Sequence, residues 1–132
     1  MGKAVSAAVK LLSKNPKGYF LVVHSDTHIP DAKKTLTRLV DLDKITKATV
    51  EQAGAKTLVL FTADHSYGLY ISRHKEKEPK SRDILPMVTL DNDHTAEEVP
   101  LFAVGPGSSQ IKGFVSNTQV FHYMLDAYGW NK

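Results

Sequence analysis

The chain has 132 residues, a net charge of +3 and no cysteine. One modest core is within its reach, while disulfides and thiolate metal sites are excluded. Hydrophobic residues make up 42% and charged residues 23%, the balance of a globular rather than a disordered chain. The basic residues are scattered among Asp and Glu, without aromatics interleaved on one face, which argues against a nucleic-acid partner. No apolar run nears the roughly 18 residues of a membrane span, so no membrane contact is expected.

Val5, Ala8, Leu11 and Leu12 recur at helical spacing, which predicts a helix over residues 3–14. Lys10 and Lys14 interrupt its apolar face, so it reads as an amphipathic helix and not as a secretion signal. Asn15-Pro16-Lys17-Gly18 is a turn. The continuous apolar run Tyr19-Phe20-Leu21-Val22-Val23 predicts a strand covered on both faces, as in a parallel sheet. Leu36, Leu39, Val40, Ile45 and Ala48 mark a long helix ending near Gly54, and Thr57-Leu58-Val59-Leu60-Phe61 a second buried strand. Strand, helix and strand make a βαβ unit with a right-handed crossover.

Residues 67–72 suit a short strand, and the charge-rich, Pro-interrupted residues 73–83 a solvated loop. Pro100-Leu101-Phe102-Ala103-Val104 is a third apolar strand, ended by Gly105-Pro106-Gly107. Ser116 or Asn117 caps a last helix, where Val120, Phe121, Met124, Leu125 and Tyr128 form one apolar stripe. The expected fold class is α/β: a partial parallel sheet with flanking helices and open edges.

Three polar clusters are placed for chemistry. His24-Ser25-Asp26-Thr27-His28 follows the first strand and Thr62-Ala63-Asp64-His65-Ser66 the second, and ligands gather beyond the carboxyl ends of parallel strands. The third, Asp91 to Glu98 with His94 inside it, precedes the third strand and reaches the same end if its loop folds back. Carboxylates and neutral imidazoles suit Zn²⁺, which accepts O and N ligands in a tetrahedral shell. Asp64 and His65 are adjacent, so both face one ion where the backbone turns at the end of a strand. Asp26 and His28, two apart, share a face if extended. The plainer reading of any one Asp-His pair is a turn or capping pair; spacing alone leaves both readings open.

These segments resemble the alkaline phosphatase family. Thr57 to Ser66 resembles its strand and metal motif TLVVVTADHS, and His94 to Gly107 its HTGEEVPLFAYGPG. Asn15 to Val23 resembles NPKGFFLMV, and the tail from Gly113 to Trp130 is similar to the family's closing segment. The likeness runs along nearly the whole chain in family order. It implies the C-terminal part of a periplasmic or extracellular enzyme, a homodimer at full length. Such an enzyme hydrolyses phosphate monoesters with two zinc ions and a magnesium, through a phosphoserine intermediate. It further implies that Asp64 and His65 bind the zinc that activates the nucleophile. His94 would bind the zinc that holds the substrate phosphate and the attacking water. A divergent branch has a compact VExDxHT form, which makes Asp26 and His28 ligands of the His94 zinc.

Two departures stand out. His24 occupies the position of the family's magnesium-binding glutamate and offers no hard oxygen, so it reads as a polar loop residue. Nothing matches the family's serine nucleophile motif; Ser66 is not in that position, and Arg73 and Arg82 are poor stand-ins for the phosphate-binding arginine. The expectation is therefore one C-terminal fragment, residues 1–132, of an alkaline phosphatase domain, without turnover alone. The alternatives are a non-catalytic metal-binding or complementing polypeptide, or another superfamily member such as a sulfatase-like hydrolase.

Overall fold

The computed structural model describes residues 1–72 and 84–130. The elements run α1 (Gly2–Leu12), α2 (Ala32–Ala53), β1 (Val59–Thr62), β2 (Ser66–Ile71), β3 (Val88–Thr95), β4 (Leu101–Val104) and α3 (Asn117–Ala127). Single 3₁₀ turns at Leu85–Met87 and Ser108–Gln110 precede β3 and follow β4. Residues 73–83, read from sequence as a solvated loop containing Arg73 and Arg82, lie outside the described residues. The chain divides into two compact units. One comprises Met1–Val22, Ile45–Thr62 and Pro100–Lys132, the other Val23–Lys44 and Ala63–Val99.

In the first unit, α1 forms at the expected place and buries Val5 and Val9, the buried hydrophobic side chains among the described residues. It lies against the second half of α2: Gly2 approaches the Ile45 side chain, and the Gln52 amide donates to the Ser6 carbonyl at 2.8 Å. The turn after α1 is built as its residues dictate, with the Asn15 side chain accepting from the Lys17 amide at 3.0 Å. β1 pairs with β4 in register Val59↔Val104 to Thr62↔Leu101, and the pairing is antiparallel. Gly105 ends β4 at φ +110, where a Cβ would collide with the Thr57 carbonyl just before β1, so only glycine fits. On α3, Val120, Met124, Leu125 and Tyr128 are half-buried and Phe121 is 55% exposed. Ser116 is the N-cap, but its hydroxyl meets Thr118 Oγ1 at 3.1 Å rather than a free backbone amide.

The second unit is built on an antiparallel hairpin, β2 with β3, running from Ser66↔Thr95 to Ile71↔Val88. The first half of α2 belongs to this unit.

Three expectations need correction. The sheet is not parallel: the described strands form two separate two-stranded antiparallel sheets. Tyr19 to Val23 is not a strand, and without it the described residues contain no βαβ crossover. An apolar run becomes a strand only where a neighbour offers a ladder, and here β1 has β4 as its partner. Phe20, Val22 and Val23 are exposed instead. Finally, His94 lies within strand β3 and not in a loop leading to the third apolar strand.

Candidate functional site

Apart from Thr62, all three polar clusters fall within the second unit. The first is held by short-range bonds. Asp26 Oδ1 accepts the His28 amide at 3.2 Å, an Asx turn. Ile29 is clamped to Thr35, whose hydroxyl accepts the Ile29 amide at 3.2 Å and donates to the Ile29 carbonyl at 2.9 Å. Asp31 opens α2 by accepting the Lys34 amide at 2.9 Å, with the Lys34 ammonium 3.5 Å away. That amide, followed by the Lys34 charge, holds the Asp31 carboxyl below its ordinary value against a smaller opposing effect of burial. His28 is thereby fixed one turn ahead of the helix. Its Nε2 meets Asn92 Oδ1 at 3.3 Å, and a carbonyl oxygen can only accept, so Nδ1 is left as the lone-pair nitrogen.

At the second cluster Asp64 Oδ1 accepts the His65 amide at 3.2 Å, and Asp64 Oδ2 lies 3.6 Å from His65 Nε2. The other ring nitrogen, Nδ1, donates to the Ser66 carbonyl at 3.2 Å. That bond fixes the ring and leaves Nε2 facing the carboxylate. The Asp64 carboxyl is held below its ordinary value, first by its own backbone amide, then by the imidazoles of His65 and His24, with burial opposing.

Strand pairing joins these clusters to the third. His65 lies just ahead of β2, two residues before Tyr67, and Tyr67 is the direct cross-strand partner of His94. The rings meet accordingly. His65 and His94 stack with centroids 3.7 Å apart and planes 20° from parallel. The Tyr67 ring is nearly perpendicular to both, with centroids 4.8 Å from His65 and 5.2 Å from His94. His28 stacks on Tyr67 at 3.6 Å with planes 10° apart. Next to this cluster the ladder is irregular between Tyr67 and Leu69. The buried Gly68 sits there because a Cβ would come within 3.0 Å of Asp91 Cβ and 3.3 Å of the Tyr70 ring.

Of the residues singled out in the sequence, the fold brings His28, His65, His94 and Asp64 into one neighbourhood. Asp26 is exposed and tied into its own turn, and His24 is exposed. Tyr67 and the Asn92 contact were not anticipated. The i, i+2 step from His65 points to Tyr67 once a strand is placed there. The donor types suit zinc, but their arrangement does not form a shell: among the described residues no three His, Asp or Glu side chains converge as a metal site. The stacking is the physical reason. Imidazole lone pairs lie in the ring plane, so two rings face to face direct them along parallel lines and not at one point.

Comparison with known proteins agrees with the motifs. A family model described as alkaline phosphatase matches residues 1–87. The tissue-nonspecific alkaline phosphatase isozyme of Felis catus is 31% identical over 134 residues, covering 97% of this chain and 25% of that protein. The alkaline phosphatase of Escherichia coli K12 is 28% identical over 149 residues, covering 98% of this chain and 32% of its own length. Alkaline phosphatase H of Pseudomonas aeruginosa is 26% identical over 92% of this chain and 30% of its own. No solved structure matches. The chain spans about a quarter to a third of the length of these relatives. With the family model covering well over half of its residues, the chain belongs to the alkaline phosphatase family.

Proposed function

We propose that this chain is the C-terminal, metal-ligating segment of an alkaline phosphatase, an enzyme of phosphate monoester hydrolysis. One observation carries the reading: the imidazoles of His65 and His94 meet beside the Asp64 carboxylate, and His28, from a third stretch, joins them through the Tyr67 ring. Asp64, His65 and His94 are the proposed ligands, with Asp26 and His28 alongside them, and zinc is the ion their O and N donors suit. The hydrogen bonds that the imidazoles donate to Asn92 Oδ1 and to the Ser66 carbonyl support it by leaving the second ring nitrogen of His28 and of His65 for a ligand. The rings must turn out of their stack before they can share an ion. The finer reading, two zinc ions and a phosphoserine intermediate in a homodimer outside the cytoplasm, follows from the family resemblance. Magnesium lacks its carboxylate where His24 stands.

The chain alone is proposed to be inactive, since no serine nucleophile motif accompanies these residues. A second reading, a complementing polypeptide without turnover of its own, is favoured by the apolar side chains left uncovered. Phe20, Val22, Phe102, Phe114 and Trp130 are all more than 60% exposed. Calorimetric titration with zinc tests the ligand assignment. The intact chain should bind, and His65→Ala and His94→Ala should each weaken binding by at least about tenfold. Unchanged affinity in both variants rejects the assignment. Turnover of p-nitrophenyl phosphate by the purified chain with zinc and magnesium rejects the claim of inactivity. Activity appearing only on addition of the part of an alkaline phosphatase that this chain does not span selects the complementing reading.

A further inference from the structure

We propose that Tyr67 is a positioning residue whose ring, not its hydroxyl, organises the three imidazoles. The inference rests on the metal-ligating reading for its purpose, but its geometry stands apart from that reading. Tyr67 touches all three imidazoles: it stacks on His28 and meets His65 and His94 with its ring plane nearly perpendicular to theirs. His28, a loop residue, reaches the hairpin through Tyr67 and through its Nε2 bond to Asn92, whereas His94 is fixed opposite Tyr67 by the strand register. The Tyr67 ring therefore bridges a loop residue to two residues at the mouth of the hairpin. Its backbone is equally constrained. The cross-strand pair with His94 sets one side, and the buried Gly68, packed against Asp91 Cβ, sets the other. A flat aromatic ring suits this position because it favours both contact geometries found here, a parallel imidazole on its π face and perpendicular imidazoles in T-shaped contact. An aliphatic side chain of similar bulk fills the space but offers neither preference. The motif that carries Asp64 and His65 thus extends two residues further, to a group that orients ligands without being one.

Two substitutions separate ring from hydroxyl, and two readouts separate positioning from metal binding. Tyr67→Phe keeps the ring, and Tyr67→Leu keeps the bulk without the π face. In the metal-free chain, proton NMR of the imidazoles reads the ring-current shifts of His28, His65 and His94 directly. Native-like shifts are expected in Tyr67→Phe and displaced shifts at all three histidines in Tyr67→Leu. Zinc affinity should follow, unchanged in Tyr67→Phe and weakened by about tenfold or more in Tyr67→Leu. The proposal is overturned if Tyr67→Leu leaves the three imidazole signals in place, or if Tyr67→Phe perturbs them as much as Tyr67→Leu. If Tyr67→Leu loses the hairpin altogether, as far-UV circular dichroism would show, the Tyr67→Phe comparison alone decides. A chain that binds no zinc sinks the ligand reading, and the metal-free shifts still decide the role of Tyr67.

Discussion

Replacing Gly105 with alanine tests whether the β1–β4 ribbon depends on a backbone approach that only glycine permits. The residue sits at φ +110, and a Cβ there would collide with the Thr57 carbonyl oxygen and lie 3.0 Å from its carbon and 3.2 Å from Leu58 Cα. These are main-chain atoms, so no rotamer change relieves the contact and the strands must part. The matched control is Gly107→Ala. Gly107 also has a positive φ, +80, but nothing lies within 4 Å of its added carbon. The control isolates the conformational penalty, about 1–2 kcal/mol for a side chain forced to positive φ. Gly105→Ala carries a comparable penalty plus overpacking of about 1–3 kcal/mol, giving about 2–5 kcal/mol in total. Against the stability of an ordinary domain, about 5–15 kcal/mol, that is a large loss. Urea unfolding followed by far-UV circular dichroism gives both free energies at a common slope. Gly105→Ala should fall below Gly107→Ala by about 1–3 kcal/mol. Coincident midpoints refute the account, because they mean the Thr57 contact opposes nothing.

Two further predictions concern the second unit. Gly68→Ala places a carbon 3.0 Å from Asp91 Cβ, so an overpacking cost of about 1–3 kcal/mol outweighs the unfolded-state gain of about 0.4–1 kcal/mol. The midpoint should fall and the Tyr67–His94 ring contact should loosen, read as imidazole shifts at His94. Asp31 has a folded-state pKa below its unfolded one, so the stability it contributes is present above the unfolded value. That contribution is lost as pH falls through the lower folded value. The first turn of α2 should fray in acid below about pH 4, seen as faster exchange of the Lys34 amide, and Asp31→Asn should flatten that dependence.

The sequence carried the helices well because their signal is local. Val5, Ala8, Leu11 and Leu12 describe one face whatever else the chain does, and α1 appears with Val5 and Val9 buried. β1 and β4 were legible for the same reason, as short apolar runs. Their direction was not, because a run such as Val59 to Phe61 reads alike against a parallel or an antiparallel neighbour. Tyr19 to Val23 failed on a related point: apolar character marks a segment fit for a strand, while the ladder is supplied by another stretch of chain. β3 escaped notice because its second half, Asp91 to Thr95, is polar, and its strand character comes from pairing with β2. At the site, the charged and imidazole residues declare themselves by type, and the fold groups His28, His65, His94 and Asp64. Tyr67 declares nothing by type; its role follows from register, which the sequence leaves open.

The stacked imidazoles look at first like an obstacle to the ligand proposal, and the magnitudes show why they are a weak one. An aromatic pair contributes about 0.5–1.5 kcal/mol beyond its burial. Binding of zinc by a complete protein shell is worth about 10–16 kcal/mol. Turning His65 and His94 out of their stack, and drawing His28 off Tyr67, costs a small fraction of that even if every ring contact is lost. What limits affinity instead is how firmly the donors are held near the geometry an ion requires, and here the chain is thinly supported. Among the described residues both sheets have two strands, a size that is marginal without further packing, and the buried hydrophobic side chains lie on α1 in the other unit. A site held within about half an ångström needs packed neighbours around its donors. In relatives three to four times as long, the additional chain is the natural source of that packing. On the proposed reading a complementing partner and zinc would be coupled ligands of the same segment: each should strengthen binding of the other, since either one orders the residues the other must find ordered.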